Sequence, residues 1–304
     1  YFGPELLLSA AELVDEQLLM TKGGRGHLRP EVSYPAQGVN IRSTSGHSYT
    51  LVEHDSGVIL ETVEEMSAFL QLYPGAVYLH GGEPYLISDL DLESRTAYGS
   101  ITEAPYFTQV LDYTETRVLD LFRERSVATT AVYLGRVNVT TTIVGFKRIA
   151  HLSEEVLGEE YLSLPPRDFD TIAMWFDLPS DTLEYIQSNG LDLAGGLHAV
   201  EHAALGVLPL FAFCDRNDIG GISTPLHPDT GKPQVFIHDG HPGGVGLAEH
   251  GFDVVEKLWR ATLSVISGCP CEAGCPGCVQ SPKCGSNNKP LDKSVAEVIL
   301  RDLT

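Results

Sequence analysis

The stretch CPCEAGCPGCVQSPKC, residues 269–284, holds five of the six cysteines of this 304-residue chain. Cys275 and Cys278 are separated by two residues, a spacing that lets two thiolates bind one zinc ion while backbone N–H groups point at the sulfurs. Cys269 and Cys271 lie before this pair, and Cys284 lies after it. Because zinc takes four ligands, the residues alone leave open which of the five thiols is spare.

A site made of four thiolates has no open coordination position, so it predicts a structural rather than a catalytic ion. An iron–sulfur cluster is the alternative, because thiolates suit both metals. Disulfides are less consistent with the pattern, since disulfide frameworks belong to small secreted domains. Here Cys214 is the only cysteine among the 268 residues before the cluster. We expect reduced thiols and one zinc ion per chain.

Composition restricts the function and the location. The formal net charge is −21, which argues against a surface that binds phosphates over its whole area but allows a local basic patch. No run of eighteen apolar residues or signal peptide is present, so we expect a cytoplasmic protein without membrane contact. The sequence begins at Tyr1 rather than at a methionine, and we expect it to be a piece of a longer protein.

The pattern along the chain predicts an α+β protein of several units. In residues 1–34 a helix over 5–20 precedes two short strands around Gly23-Gly24, which resembles the second half of a winged helix, although any helix–hairpin would fit. Lys22, Arg25 and Arg29 on this hairpin are candidate phosphate contacts.

Residues 35–163 have period-two hydrophobicity and predict a β-rich, barrel-like or sandwich-like domain. Its hairpins are expected to turn at residues 55–57 and 81–82. Tyr106, Phe107 and Tyr113 are candidates for stacking on bases, with core packing as the more common role.

Residues 164–304 predict a mixed α/β domain that ends in the zinc module at 269–284. We expect buried strands at 171–179 and 233–239, a central apolar helix at 194–211, a long amphipathic helix at 247–266 and a last helix at 290–303.

Three other motifs in this domain contain groups that could bind a metal ion or an anion. His198, Glu201 and His202 form H-x-x-E-H, the inverted zinc-protease motif, while Asp215 and Asp218 lie in a turn where they and His202 could bind a divalent ion. They suggest a metal-dependent hydrolase, although histidines in core contacts and a turn-forming acidic loop are the commoner explanations. The loop DGHPGGVG, residues 239–246, could bind an anion at a helix N-terminus or simply form a tight turn. The sequence contains no Walker A loop, so we expect no ATPase motor within it.

The blocks HAVEHAALGVLP, DRNDIGG, PQVFIHDGHPGGVGLAE and the cysteine stretch, in this order, resemble the C-terminal domain of MrfA/SftH-type superfamily 2 DNA helicases. The resemblance covers about residues 165–304. It implies ATP-dependent 3′-to-5′ translocation and unwinding in DNA repair, with ATP and magnesium bound by motor domains outside this sequence. It also implies a four-cysteine core equivalent to Cys269, Cys271, Cys275 and Cys278, with Cys284 as the alternate ligand.

These observations together predict an accessory module that is not an enzyme by itself but serves a helicase. We expect it to contact single-stranded or forked DNA through Lys22, Arg25 and Arg29, to brace the motor domains in cis, and to be a monomer associated with the nucleoid. A hydrolase centred on His198, Glu201 and His202 is the rival hypothesis. A protein-interaction module without DNA contact is the third, and the charge of −21 is compatible with it.

Overall fold

A computed structural model describes residues 6–32, 47–153 and 155–304 of the chain. It divides into two compact units, Tyr1–Gly46 and His47–Thr304. The domain boundary predicted after residue 34 falls within residues 33–46, which lie outside the described residues.

The first unit contains one helix and one hairpin. Helix α1 spans Leu6–Asp15, and strands β1 (Leu19–Lys22) and β2 (Arg25–Leu28) pair antiparallel with Lys22 opposite Arg25. Gly23 and Gly24 form the turn with φ of 60° and 74°, a backbone conformation that favours glycine at both positions. The predicted hairpin is therefore confirmed, whereas the helix ends five residues earlier than its predicted end at residue 20. The winged-helix assignment stays a prediction.

The second unit begins with an open five-stranded sheet in the order β4-β3-β7-β6-β5. The predicted turns at residues 55–57 and 81–82 join β3 to β4 and β5 to β6. Strands β4 and β5 are the two edges of this sheet, so it does not close, and the predicted barrel or sandwich is not confirmed. Its elements are β3 (Ser48–Glu53), β4 (Ile59–Glu64), α2 (Glu65–Gln71), β5 (Val77–His80), β6 (Glu83–Asp91) and β7 (Thr96–Ile101).

A six-stranded sheet follows, in the order β10-β9-β11-β13-β12, with β8 paired along β9. Strand β9 bonds to β11 over ten residue pairs, so one sheet continues across the predicted domain boundary between residues 163 and 164. That boundary rests on a change of pattern along the chain, which does not reveal pairing between distant strands. The strands are β8 (Tyr106–Val127), β9 (Thr130–Ala150), β10 (Val156–Tyr161), β11 (Arg167–Asp177), β12 (Ile219–Thr224) and β13 (Gln234–Asp239).

Helices pack against this sheet around one central helix, α4. The long helix predicted at 247–266 is divided at Val254, where φ is −108° and ψ is 12°. Gly251 and the β-branched pair Val254-Val255 lower the helix propensity of this stretch. The helices are α3 (Ser180–Ser188), α4 (Leu193–Val207), α5 (Pro209–Ala212), α6 (Leu247–Asp253), α7 (Val255–Gly268) and α8 (Lys293–Leu303).

The segment Leu193–Ala212 is long and apolar enough, by length and composition, to cross a membrane. Eleven residues of α4 are buried within the protein, where the helix contacts α7, α8 and β12. Burial in the core accounts for the apolar character of this helix.

Candidate metal centres

The four sulfurs of Cys269, Cys271, Cys275 and Cys278 lie together between the end of α7 and the start of α8. The Sγ–Sγ distances are 3.5 Å for 269–271, 269–275 and 271–278, and 3.8 Å for 275–278. Four thiolates bound tetrahedrally at Zn–S distances of about 2.3 Å lie about 3.8 Å apart. The arrangement therefore fits one zinc ion, and Cys284 is not part of it.

A tight turn holds the second half of this four-cysteine site. The N–H of Cys278 donates to the carbonyl of Cys275 at 3.0 Å, and the N–H of Cys275 donates to Sγ of Cys278 at 3.3 Å. Gly274 has φ of 104°, and a Cβ there would lie 2.5 Å from Cγ2 of the buried Val279. The turn therefore needs glycine at 274, and Val279 anchors it in the core.

Lys293 contacts the same site from the first turn of α8. Its Nζ donates to the carbonyl oxygens of Cys269 and Cys271 at 2.7 and 2.5 Å and lies 3.5 Å from Sγ of Cys271. The ammonium charge balances the negative charge of the thiolates.

Cys284 lies instead beside two histidines of α4. Its Sγ is 3.4 Å from Nε2 of His198, and one ligand atom from each of His198, His202 and Cys284 lies within 4.8 Å of the others. The histidines are one helical turn apart on the same face of α4, with ring centroids separated by 4.2 Å. This second cluster, the His-His-Cys cluster, joins residues that are 86 positions apart.

Backbone carbonyls determine which nitrogen of each imidazole ring carries a proton. Nδ1 of His198 lies 2.7 Å from the carbonyl oxygen of Pro290, and Nδ1 of His202 lies 2.9 Å from that of Val279. Because a carbonyl only accepts, each Nδ1 carries a proton, and a neutral ring then has its lone pair on Nε2.

The environment of Cys284 favours the thiolate. Burial raises the pKa of the Cys284 thiol, but hydrogen bonds with His198, His202, Ser286 and the N–H of Asn288 lower it to about 5. Ser286 Oγ and Asn288 N each lie 3.2 Å from the sulfur.

The pKa values of two carboxyl groups near the His-His-Cys cluster are raised. Burial, followed by the negative charge of Cys284, raises the pKa of Asp112 to about 6. Burial also raises the pKa of Glu201, against the opposing charge of His202 and a 2.7 Å hydrogen bond from Ser223 Oγ. Glu201 is therefore held inside the fold by Ser223.

The carboxylates of the acidic turn after α5 already have hydrogen-bond partners within the protein. Asp215 accepts from the N–H of Asn217, Asp218 accepts from the N–H of Asp215, and His241 Nε2 lies 3.2 Å from Asp218 Oδ1. In the part of the chain that the structure describes, these carboxylates do not join His202 in a metal-binding group.

The glycine-rich loop after β13 surrounds a carboxylate that belongs to the chain. The fully buried Asp239 accepts hydrogen bonds from the N–H groups of Val245, Gly246, Leu247 and Ala248. These are the donors that an external anion would need. The loop is therefore a tight turn capped from within.

The candidate DNA-contacting residues lie on the surface of the first unit. Lys22 and Arg25 are exposed and directly opposite across the hairpin, and Arg29 is half-buried just after β2. In the second unit, Phe107 and Tyr113 on β8 are 39% and 50% exposed. Tyr106 is half-buried, with the Arg148 guanidinium 5.9 Å from its ring.

Comparisons with known proteins show which proteins this chain is similar to. The family model of the MrfA Zn-binding domain matches residues 200–279, which include all four cysteines of the first cluster. The crystal structure of the DUF1998 helicase MrfA bound to DNA aligns with 97% of this chain and 39% of its own, with a TM-score of 0.59 and 27% identity. The chain matches the C-terminal region of an MrfA-type helicase.

Three further proteins are similar to parts or most of this chain. The uncharacterized ATP-dependent helicase YprA of Bacillus subtilis is 28% identical over 91% of this chain, and the ATP-dependent helicase HRQ1 of Saccharomyces cerevisiae is 26% identical over 88%. The alignments cover only 37% and 26% of those helicases. The uncharacterized protein MJ1572.1 of Methanocaldococcus jannaschii is 41% identical over 35% of this chain and 98% of its own length.

Sequence reasoning missed two features of these centres. No sequence motif indicates that Lys293 contacts the four-cysteine site. The pairing of Cys284 with His198 and His202 joins two distant segments. Its signals in the sequence are the fifth cysteine and the H-x-x-E-H motif, and neither indicates that they lie together.

Proposed function

We propose that this MrfA-type chain is an accessory module of an ATP-dependent 3′-to-5′ DNA helicase that acts in DNA repair. The observation that carries the proposal is the alignment of 97% of the chain with a DNA-bound MrfA helicase. ATP and magnesium would bind to motor domains outside this sequence, and the chain by itself would not be an enzyme. The module would work in cis, within a monomer associated with the nucleoid.

Zinc at Cys269, Cys271, Cys275 and Cys278 would brace this module. When bound, the ion supplies a closed tetrahedral cross-link and no reaction. The cross-link joins the end of α7 to the start of α8, where Lys293 also bonds the cysteine carbonyls. Both helices pack on α4, so the site fixes the edge of the helical layer.

The hairpin of the first unit would contact the phosphates of single-stranded or forked DNA. Lys22 and Arg25 support this role because they are exposed, directly opposite and adjacent to a tight glycine turn. Arg29 would extend the basic surface beyond the end of β2. A local basic hairpin is compatible with a net charge of −21, since phosphate contacts act over short distances in salt.

The combined substitution Lys22→Ala and Arg25→Ala tests the DNA contact. We expect weaker binding to forked DNA in a fluorescence anisotropy titration over a series of salt concentrations. Each lost phosphate contact lowers the slope of log K against log salt by about 0.9 on duplex DNA, so two lost contacts lower it by about 1.8. Lys257→Ala, which removes an exposed lysine from α7, is the matched control. Unchanged binding and slope would favour the protein-interaction hypothesis.

A metal-dependent hydrolase remains the second candidate function, because α4 presents His198 and His202 beside Cys284. Glu201 would be its general base, although Ser223 holds this carboxylate in the interior. Nuclease and peptidase assays on the zinc-loaded chain distinguish the two functions. The accessory-module proposal expects no turnover, whereas activity that Glu201→Gln abolishes would support the hydrolase.

A further inference from the structure

We propose that His198, His202 and Cys284 form a second metal site, which binds a zinc ion through two imidazole nitrogens and one thiolate. This site is separate from the four-cysteine site and goes beyond the proposed helicase function. The matched MrfA Zn-binding range, residues 200–279, includes neither His198 nor Cys284.

The distances within the His-His-Cys cluster fit a single ion. Zinc binds histidine nitrogen at about 2.0–2.1 Å and cysteine sulfur at about 2.3 Å, so the two ligand atoms in a tetrahedron lie about 3.6 Å apart. The Nε2–Sγ distance between His198 and Cys284 is 3.4 Å. His202 presents its ligand atom from the same face of α4, one turn along the helix.

Each ligand is oriented by a partner that favours metal binding. Metal-binding histidines commonly donate their other ring N–H to a carbonyl or carboxylate, which fixes the ring and its tautomer. His198 and His202 both do so, to the carbonyls of Pro290 and Val279. Asn288 N–H and Ser286 Oγ lie within hydrogen-bond distance of the Cys284 sulfur. The cluster is thus arranged before any ion enters.

The ligand chemistry and the burial select a zinc ion. Imidazole and thiolate together suit zinc, whereas calcium and magnesium prefer oxygen ligands. His202 and Cys284 are only 5% and 8% exposed, so three protein ligands would hold the ion close to the core. A water molecule would complete the tetrahedron at the more accessible His198 side.

A metal here would fasten the segment between the four-cysteine site and α8. Cys284 lies between Cys278 and Lys293, so the segment would be held by the first zinc at one end and by α4 in its middle. The partner carbonyls of both histidines, Val279 and Pro290, belong to this same region. The two ions would then act on one structural unit, the face of α4 covered by residues 269–293.

Metal content of the intact chain tests the proposal directly. After purification and dialysis against a weak chelator, mass spectrometry of the elements should give two zinc ions per chain. Cys284→Ser should reduce the content to one, and His198→Gln should have the same effect. Cys214→Ser, which removes the half-buried cysteine outside both clusters, should leave two. One zinc ion in the unchanged chain, or two in both cluster variants, would overturn the proposal.

Cobalt provides a second readout that does not depend on the total count. When cobalt replaces zinc, the wild-type absorption spectrum should contain two sets of bands, from a four-thiolate site and from a mixed nitrogen–sulfur site. His198→Gln should remove only the second set, with an unchanged circular dichroism spectrum showing that the fold is kept. A spectrum unaffected by His198→Gln would contradict the second site. Loss of DNA binding in the hairpin variant would leave these results unchanged, so the two proposals fail separately.

Discussion

Lys293 Nζ lies 2.5 Å from the carbonyl oxygen of Cys271 and 3.5 Å from its Sγ. A lysine in the first turn of a helix is unfavourable for the helix dipole, which prefers an anion at that end. The position is explained by the cysteine site, because a zinc ion with four thiolates carries a net negative charge. Lys293 is therefore at an unfavourable position for the helix dipole, and attraction to the negatively charged thiolates of the cysteine site would offset this cost.

Substitution of Lys293 by methionine should weaken zinc retention at the four-cysteine site. Methionine keeps most of the length of the side chain but removes the charge and the hydrogen bonds to Cys269 and Cys271. Loss of such partners typically lowers metal affinity by about 10- to 100-fold. Competition with a coloured chelator measures the change. Lys257→Met on the exposed face of α7 is the control, and equal zinc release from both variants would show that Lys293 does not support the site.

Two glycines of α4 should respond in opposite ways to alanine. A Cβ at Gly196 would lie 2.3 Å from Cγ1 of Val295 on α8, so Gly196→Ala forces the helices apart. Overpacking of this kind costs about 1–3 kcal/mol. A Cβ at Gly206 would point into open space, with no other element of the described chain within 4 Å. Gly206→Ala should therefore stabilise the protein by about 0.4–1 kcal/mol.

Urea denaturation of both glycine variants provides the comparison. Each substitution adds the same methyl group to the same helix, so helix propensity is matched and only the contact with α8 differs. A stabilising effect of Gly196→Ala would mean that α4 and α8 are not packed as closely as described.

Local sequence patterns predict the parts of the fold that depend on neighbours in the chain. The turns at Gly23-Gly24 and Gly81-Gly82 and the strand that ends at Asp177 follow from glycine conformation and hydrophobic period. The five clustered cysteines are recognisable as candidate metal ligands for the same reason, because their spacing is short, but their spacing does not identify the spare one.

Contacts between distant segments could not be predicted in this way. Strand β9 bonds to β11 through a register set by pairing across the sheet, and no residue near position 163 signals it. Because Cys284 is close to the other cysteines in the sequence, it is a candidate alternate ligand for the four-cysteine site. Its sulfur lies beside His198 instead, since the packing of α4 brings that helix under the segment.

The buried His227 should make stability depend on pH. Burial lowers its pKa below the ordinary value, against the opposing charge of Asp229. The Nδ1 atom accepts from the N–H of Asp229 while Nε2 lies 3.1 Å from the carbonyl of Thr116, an arrangement that requires the neutral ring. The unfolded chain takes up a proton near pH 6.5, so this contribution to stability is present above about pH 6.5 and is lost as the pH falls toward the folded pKa.

His227→Gln should therefore reduce the loss of stability between about pH 7.5 and 5.5. Glutamine does not titrate, so its variant lacks this proton uptake while all other groups behave as in the unchanged chain. Urea denaturation at several pH values measures the difference. His250→Gln changes an exposed histidine on α6 and is the control. The same pH slope in His227→Gln as in the unchanged chain would contradict the assignment.

Asp239→Asn should destabilise the core by removing the internal cap of the glycine-rich loop. Asparagine keeps the shape of the side chain, but it has one oxygen acceptor for four N–H donors that now contact both carboxylate oxygens. Loss of charged hydrogen bonds in a buried position predicts about 2–4 kcal/mol of destabilisation in urea. The exposed Asp253→Asn breaks only the surface ion pair with Arg123 and should cost less than about 1 kcal/mol. Equal effects of the two substitutions would mean that the loop does not depend on Asp239, and the loop would again be a candidate for binding an external anion.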